Sequence, residues 1–331
     1  MSAATQDLMR LENLSVAFPG RGQLDGPERQ FRAVDDVTLD IRSGEVLGLV
    51  GESGSGKTTL AKALLRLYRP SAGRILFRGA DLAKLRERAM RPYRRDLQMV
   101  FQDPLSSFNP RQTVAQALAV PLSLHAICPR AEIPRQVDAA LTRVGLSPAF
   151  RDRFPHELSG GQLQRVAIGR ALTLSPSLLV ADEAVSKLDV SVRAQILNLL
   201  KDVQAANTLS ILFITHDLHV ARYLCHRVGV MYFGKLVELG PTEEIFTAPR
   251  HPYTRALLGT LDDEIAGGDE ADVTAAPPSA TGCRYASRCP HAAAPCAEVH
   301  PGLERVADGH AVACHRWREL VAAASWRSRP S

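Results

Sequence analysis

The sequence predicts an α/β fold with a largely parallel sheet. An antiparallel β subdomain, an inserted helical subdomain and a small cysteine-bearing C-terminal extension complete it. Three observations carry this reading. Buried-strand patterns such as "PSLLVADE" and "LSILFITHD" each lie beside helical segments, as in a parallel sheet covered by helices on both faces. The stretch "GESGSGKTT", residues 51–59, lies between an apolar strand and an apolar helix. Four of the six cysteines fall between 283 and 314, beyond a Gly-, Ala-, Pro- and Asp-rich linker at roughly 262–281.

The elements follow in order. "LMRLENLSVAF", "FRAVDDVTLDI" and "GEVLGLV" read as strands, the first of them antiparallel and half exposed. "LAKALLRLY" has helical spacing and stops at the turn "RPSAG". "RILFRG" is a short strand, and "DLQMVFQD" is a strand running into the loop "DPLSSFNPR". Residues 112–150 read as helix broken by prolines, within a helical insertion at about 104–175. "RVGVMYFGKLVELG" closes the core with two short strands. The chain divides at residue 250, with 1–250 as the main domain and 251–331 as the extension.

The chain has 331 residues, 45% apolar and 23% charged, with a net charge of +5. That is enough for a substantial core plus an appendage. No run of five or six like charges concentrates the positive balance into a nucleic-acid surface. No stretch approaches the roughly 18 apolar residues that span a bilayer, and "MSAATQDLMRLEN" has no secretory apolar segment. The expectation is a cytosolic chain whose membrane association comes through partners. Clustered cysteines in that compartment suggest a metal more than disulfides.

Gly51 to Thr58 fit G-x-x-x-x-G-K-[ST]. Gly51, Ser53, Gly54, Ser55 and Gly56 let the backbone turn its N–H groups toward phosphate oxygens. The helix that starts near Lys57 adds the positive end of its dipole. Lys57 is expected to reach the β- and γ-phosphates, and Thr58 to ligate Mg2+, with Thr59 beside it. The apolar strand "LLVADE" ends in Asp182 and Glu183. Asp182 is expected to serve the magnesium, and Glu183 to polarise the attacking water.

"LSGGQLQRVAIGRAL", residues 158–172, resembles the signature of ATP-binding cassette (ABC) proteins, and the remaining motifs stand in that family's order. Gln102 in "VFQD" resembles the Q-loop residue that also touches magnesium. "SKLD", ending in Asp189, resembles the D-loop. His216 in "ITHD" resembles the switch histidine, and Phe18 in "LSVAF" resembles the aromatic that stacks on adenine. The resemblance covers residues 8–250 and implies a P-loop NTPase (RecA-like) core that hydrolyses ATP. Ser159, Gly160, Gly161 and Gln162 open a helical segment and make a second anion site. In the family, two such domains pack head to tail, with ATP between the P-loop of one and the signature of the other.

"DPLSSFNPRQTV", "DVSVRAQILNLL" and "PRHPYTRALL" narrow the resemblance to the ATPase subunits of oligopeptide, dipeptide and nickel importers. It implies a second ATPase subunit, identical or paralogous, two transmembrane permease subunits and an extracytoplasmic solute-binding protein, with this chain peripheral on the cytoplasmic face of the inner membrane. Cassette proteins of ribosomes or DNA repair are the alternative, but one cassette and no long heptad segment argue against them. Cys283, Cys289, Cys296 and Cys314 could hold a [4Fe–4S] cluster or a tetrahedral Zn2+. Their spacing is not the short C-x2-C of zinc ribbons, and related importer ATPases carry a cluster in this tail, so the expectation is iron–sulfur. His291, His310 and His315 leave mixed-ligand zinc open. Cys128 and Cys225 are expected to be buried thiols. Three positions depart from the family pattern: Leu163 where Arg is usual, Ala184 where Pro is usual, and Lys187 where a small Ala is usual.

Overall fold

A computed structural model describes residues 7–19, 30–206, 208–259 and 281–322. All but the last residue of the expected linker lie outside these. Strands β1 (Asp7–Pro19) and β2 (Gln30–Arg42) pair antiparallel, and β3 (Val46–Val50) then enters a second sheet. The glycine-rich loop leads into α1 (Lys57–Leu64). β4 (Ala72–Phe77) and β5 (Ala80–Asp81) return to the first sheet, whose order is β2-β1-β4-β5. The short α2 (Glu87–Met90) precedes β6 (Leu97–Val100). Helices α3 (Val114–Leu124), α4 (Ile133–Arg143) and α5 (Gly160–Leu172) form the helical insertion. Pro121 lies inside α3 and does not break it, since proline removes only one donor from a helix that packing holds.

The core resumes with β7 (Leu178–Asp182), α6 (Val190–Ala205), β8 (Ser210–Ile214), α7 (Leu218–Leu224), β9 (Arg227–Tyr232) and β10 (Lys235–Pro241). Then come α8 (Thr242–Thr247), α9 (Pro252–Gly259), α10 (Ala294–Glu298), β11 (Glu304–Ala307), β12 (His310–Val312) and α11 (Trp317–Ala322). The second sheet has eight strands in the order β11-β12-β10-β9-β3-β8-β7-β6. From β9 to β6 the pairs are parallel, and the remaining pairs are antiparallel. The extension is therefore continuous with the core sheet: Glu238 pairs with Val312 and Leu239 with Ala311.

Period-two alternation divides the parallel strands between two cores. Leu47 and Leu49 of β3, Leu178 and Val180 of β7, and Leu212 and Ile214 of β8 face the antiparallel subdomain and α1. Val46 and Val50, Leu179 and Ala181, and Ile211 and Phe213 face the helical side, packing with Leu118, Leu141 and Ile168. Both faces are buried, which is why these strands read as continuous apolar runs. The carboxyl ends of β3, β7 and β8 deliver Gly51, Glu183 and His216 to one edge of the sheet, where open α/β sheets place their sites.

Candidate active site

The phosphate loop is shaped by contacts that leave no room for side chains. Gly56 has φ +99°, and a Cβ there would come within 2.2 Å of the Ala33 carbonyl oxygen, so only glycine serves. Gly56 also caps α1 with no side-chain bond, so the first N–H groups of that helix remain for an anion. Lys57 is 5% exposed. Its Nζ donates to the Gly51 carbonyl at 2.7 Å, the Glu52 carbonyl at 2.8 Å and Ser55 Oγ at 3.2 Å. Burial lowers its pKa, against the pull of Glu183, Asp182 and Glu52. Ser55 is buried, whereas Ser53 and Gly54 at the loop's tip are exposed.

Opposite the loop, Thr58 Oγ1 donates to Asp182 Oδ1 at 2.9 Å. Asp182 is 5% exposed. Burial raises its pKa, and the neighbouring Glu183 adds to the rise against the Thr58 bond and the two lysines, Lys62 and Lys57. A buried carboxylate beside a hydroxyl suits a divalent cation that keeps several of its own waters. Glu183 follows in left-handed backbone with φ 46°, a conformation that costs a non-glycine residue about 1–3 kcal/mol and clusters at functional sites. Its Oε2 accepts from Gln102 Nε2 at 2.6 Å, and its Oε1 lies 3.3 Å from His216 Nδ1. The structure thus brings Lys57, Thr58, Gln102, Asp182, Glu183 and His216 into one continuous set.

The other expected positions lie around this set. Phe18, near the end of β1, meets Tyr68 edge to face at 5.4 Å between centroids. Ser159 caps α5 through a reciprocal box with Gln162: Ser159 N–H donates to Gln162 Oε1 at 3.0 Å and Gln162 N–H to Ser159 Oγ at 3.3 Å. Ser159 and Gly160 are exposed and Gly161 is buried. Asp189 is exposed at the start of α6, and Lys187 is exposed before it. Leu163 is buried in the helical core. Where Ala184 replaces the usual proline, Ser186 holds the turn, its N–H and Oγ both reaching the Glu183 carbonyl at 3.2 and 3.0 Å.

The metal expectation for the tail is corrected. Cys283, Cys289, Cys296 and Cys314 line one cavity with His251, His291 and His315, but its volume is only about 20 Å³, room for about one water. Among the described residues, no group of three or more His, Cys, Asp or Glu side chains is placed to hold a metal ion. Burial pushes the thiols of Cys283 and Cys289 up, and that of Cys314 to about 11. Neither the [4Fe–4S] cluster nor the zinc alternative, with or without His310, is supported by this arrangement. His310 instead binds Glu238 and Glu244. Cys225 is a buried thiol as expected, but Cys128 is only half-buried.

Sequence reasoning also missed three residues beside the loop. Glu52 N–H donates to the Tyr253 hydroxyl at 3.0 Å, and the Glu52 carboxylate meets Arg288 at 3.3 Å. The stretch "PRHPYTRALL" served in the sequence only to narrow the resemblance; its Pro252 opens α9, which carries Tyr253.

Known proteins match this architecture. The ABC transporter family profile covers residues 34–186, and the oligopeptide/dipeptide transporter C-terminal region covers 237–296. The oligopeptide transport ATP-binding protein AppF of Bacillus subtilis is 43% identical over 328 residues, 95% of this chain and 99% of that protein. A putative peptide import ATP-binding protein of Brucella ovis, BOV_A0347, is 47% identical over 86% of this chain and 92% of its own length. Among solved structures, cbiO1 from Clostridium perfringens, part of the ABC transporter complex cbiONQ, gives a TM-score of 0.64 at 28% identity over 78% of this chain and 96% of that one. The ATP-binding cassette MJ0796, in a dimeric post-hydrolysis state bound to ADP and Pi, gives 0.63 at 27% identity over 71% and 98%. The chain belongs to the ABC transporter ATPases, in the group whose members carry the oligopeptide/dipeptide transporter C-terminal region.

Proposed function

We propose that this chain binds and hydrolyses ATP to power the import of di- and oligopeptides through a membrane transporter. The observation that carries the chemistry is the Glu183 carboxylate, held between Gln102 and His216 one residue after Asp182. Phe18 stacks on adenine, and the loop Gly51–Thr59 with Lys57 takes the phosphates. Thr58, Gln102 and Asp182 hold Mg2+, which when bound neutralises charge on the phosphate oxygens. Glu183 polarises the attacking water and His216 orients the group it contacts. In the present arrangement both oxygens of Glu183 face side-chain nitrogens. Movement of the loop bearing Gln102 therefore frees an oxygen for water and links hydrolysis to whatever moves that loop.

Ser159, Gly160, Gly161, Gln162 and Asp189 serve the nucleotide of a second ATPase subunit, identical or paralogous. The exposure of Ser159 and Gly160 at the start of α5 and of Asp189 at the start of α6 supports this reading. The division into a nucleotide-binding domain to residue 250 and an extension from 251 belongs to the same proposal. No described helix is long and apolar enough to cross a membrane. Contact with the membrane then comes through two permease subunits on the inner face, fed by an extracytoplasmic solute-binding protein. The peptide assignment follows the relatives' names and the C-terminal region, and nucleic acid has no part in it.

The test is ATP-driven uptake in vesicles that contain this chain with its permease and ATPase partners. Accumulation of labelled peptides that stops without ATP supports the proposal. Uptake of Ni2+ in place of peptide, or no ATP-dependent uptake of peptides, overturns it.

A further inference from the structure

Glu52, the second residue of the phosphate loop, is gripped from the far end of the chain. Its carbonyl accepts from Lys57 Nζ, its N–H donates to the Tyr253 hydroxyl, and its carboxylate oxygens both lie 3.3 Å from Arg288. One residue thereby joins the loop's cation to two side chains that lie 201 and 236 positions away.

Those side chains are themselves fixed. Tyr253 is 1% exposed. Its ring lies 4.5 Å from Tyr232 and 5.4 Å from Tyr285 between centroids, and its N–H donates to His251 Nδ1 at 3.0 Å. Tyr232 ends β9, and in the turn after it Gly234 N–H donates to the Ser55 carbonyl at 2.9 Å. Arg284 pairs with buried Asp35 at 2.7 Å, and Asp35 N–H donates to the Gly234 carbonyl at 2.9 Å. The extension thus supports the loop at its start, through Glu52, and near its middle, through Asp35, Gly234 and Ser55.

The two contacts differ in weight. Arg288 and Glu52 are 42% and 32% exposed, and water screens such a pair. Tyr253 is buried, and removing its hydroxyl strands the Glu52 N–H, which costs more than a bond that water can replace. The peptide of Glu52 also carries one of the carbonyls that hold Lys57, so its orientation sets where the ammonium waits.

We propose that Tyr253 and Arg288 are positioning residues for the phosphate loop, holding the Glu52 peptide in the orientation that receives the phosphates of ATP. The proposal rests on the nucleotide reading above. It makes the C-terminal extension a working part of the ATP site.

The test titrates MgATP into the full-length chain by calorimetry. Tyr253→Phe keeps the ring and removes the acceptor, and its ATP affinity should fall about 3- to 10-fold. Arg288→Gln should lose about 2- to 5-fold, and Arg288→Lys should recover part of that. Thermal midpoints without nucleotide are measured in parallel. A lower midpoint with wild-type ATP affinity for both Tyr253→Phe and Arg288→Gln means that these contacts only stabilise the fold, and overturns the proposal. Should Tyr253→Phe fail to fold, Arg288→Gln, on the surface, decides alone. Lys57→Ala separates the two levels of inference. If it loses ATP while both other variants bind normally, the loop is the site and the positioning role is wrong. If it binds ATP like the wild type, the site reading fails and the proposal falls with it.

Discussion

Glu183 shows how much one residue can carry. Its left-handed backbone aims the carboxylate, and Gln102 and His216 meet its two oxygens. Glu183→Gln keeps the shape and removes the carboxylate proposed to polarise the attacking water. ATP binding should persist, while hydrolysis in the assembled transporter falls by about 100-fold or more; wild-type turnover in a phosphate-release assay would remove Glu183 from its role. His251 carries a different dependence. It is 1% exposed, and burial pushes its pKa down to about 4, helped by His300 and opposed by Glu238 and a bond to the Ala313 carbonyl. Its Nδ1 must stay unprotonated to accept from Tyr253 N–H. The unfolded chain takes up that proton nearer 6.5, so the stabilisation is complete above 6.5 and is lost as pH falls toward 4. About 2 kcal/mol should go by pH 5. His310 runs the other way: burial lowers its pKa, but bonds to Glu238 and Glu244 prevail and raise it, so its contribution is present at low pH and lost as pH climbs. His251→Gln should therefore flatten the acid side of a plot of melting temperature against pH, and an unchanged acid slope would count against this account. That Gln102, Glu183 and His216 would be singled out was legible because each sits in a short motif with its own chemistry, and the structure brings the three together. Glu52, Tyr253 and Arg288 were not, because their contacts join distant segments with no fixed local spacing.

At the scale of elements, α5 and α6 meet through Gly161. A Cβ on Gly161 would come within 2.3 Å of Val192 Cγ1, closer than any real contact. Gly161→Ala should push the start of α5 from α6 and destabilise the chain by about 1–3 kcal/mol, visible as a lower melting temperature. No change in melting would mean that Val192 turns aside at no cost. The parallel strands were legible because both faces of each are apolar, and the helix at Lys57 because its loop announces it. β11 and β12 were not. "ERVA" and "HAV" are short and carry no clear alternation, and their pairing is set by the edge that β10 offers. Read without that edge, the tail offered only its cysteines, and these gave the expectation of a metal.

For the whole molecule, the extension closes one end of the main sheet. A chain stopped after Gly259 would lose the pairing of β12 with β10, including the bond from Ala313 N–H to the Val237 carbonyl at 2.8 Å. It would also leave the fully buried Glu238 without His310. The exposed edge of β10 is then open to other strands, and light scattering on heating should show aggregation well below the full-length melting point. A truncated chain that stays monomeric and melts with the full-length one would contradict this.

The grip on Glu52 also has a consequence in time. Synthesis adds about 5–20 residues per second, and 236 residues separate Glu52 from Arg288. The phosphate loop is therefore synthesised roughly 10–50 seconds before the arginine that completes its support. For that interval the nascent chain has its nucleotide loop but not the finished setting around it. A segment made late finishes the setting of one made well before it.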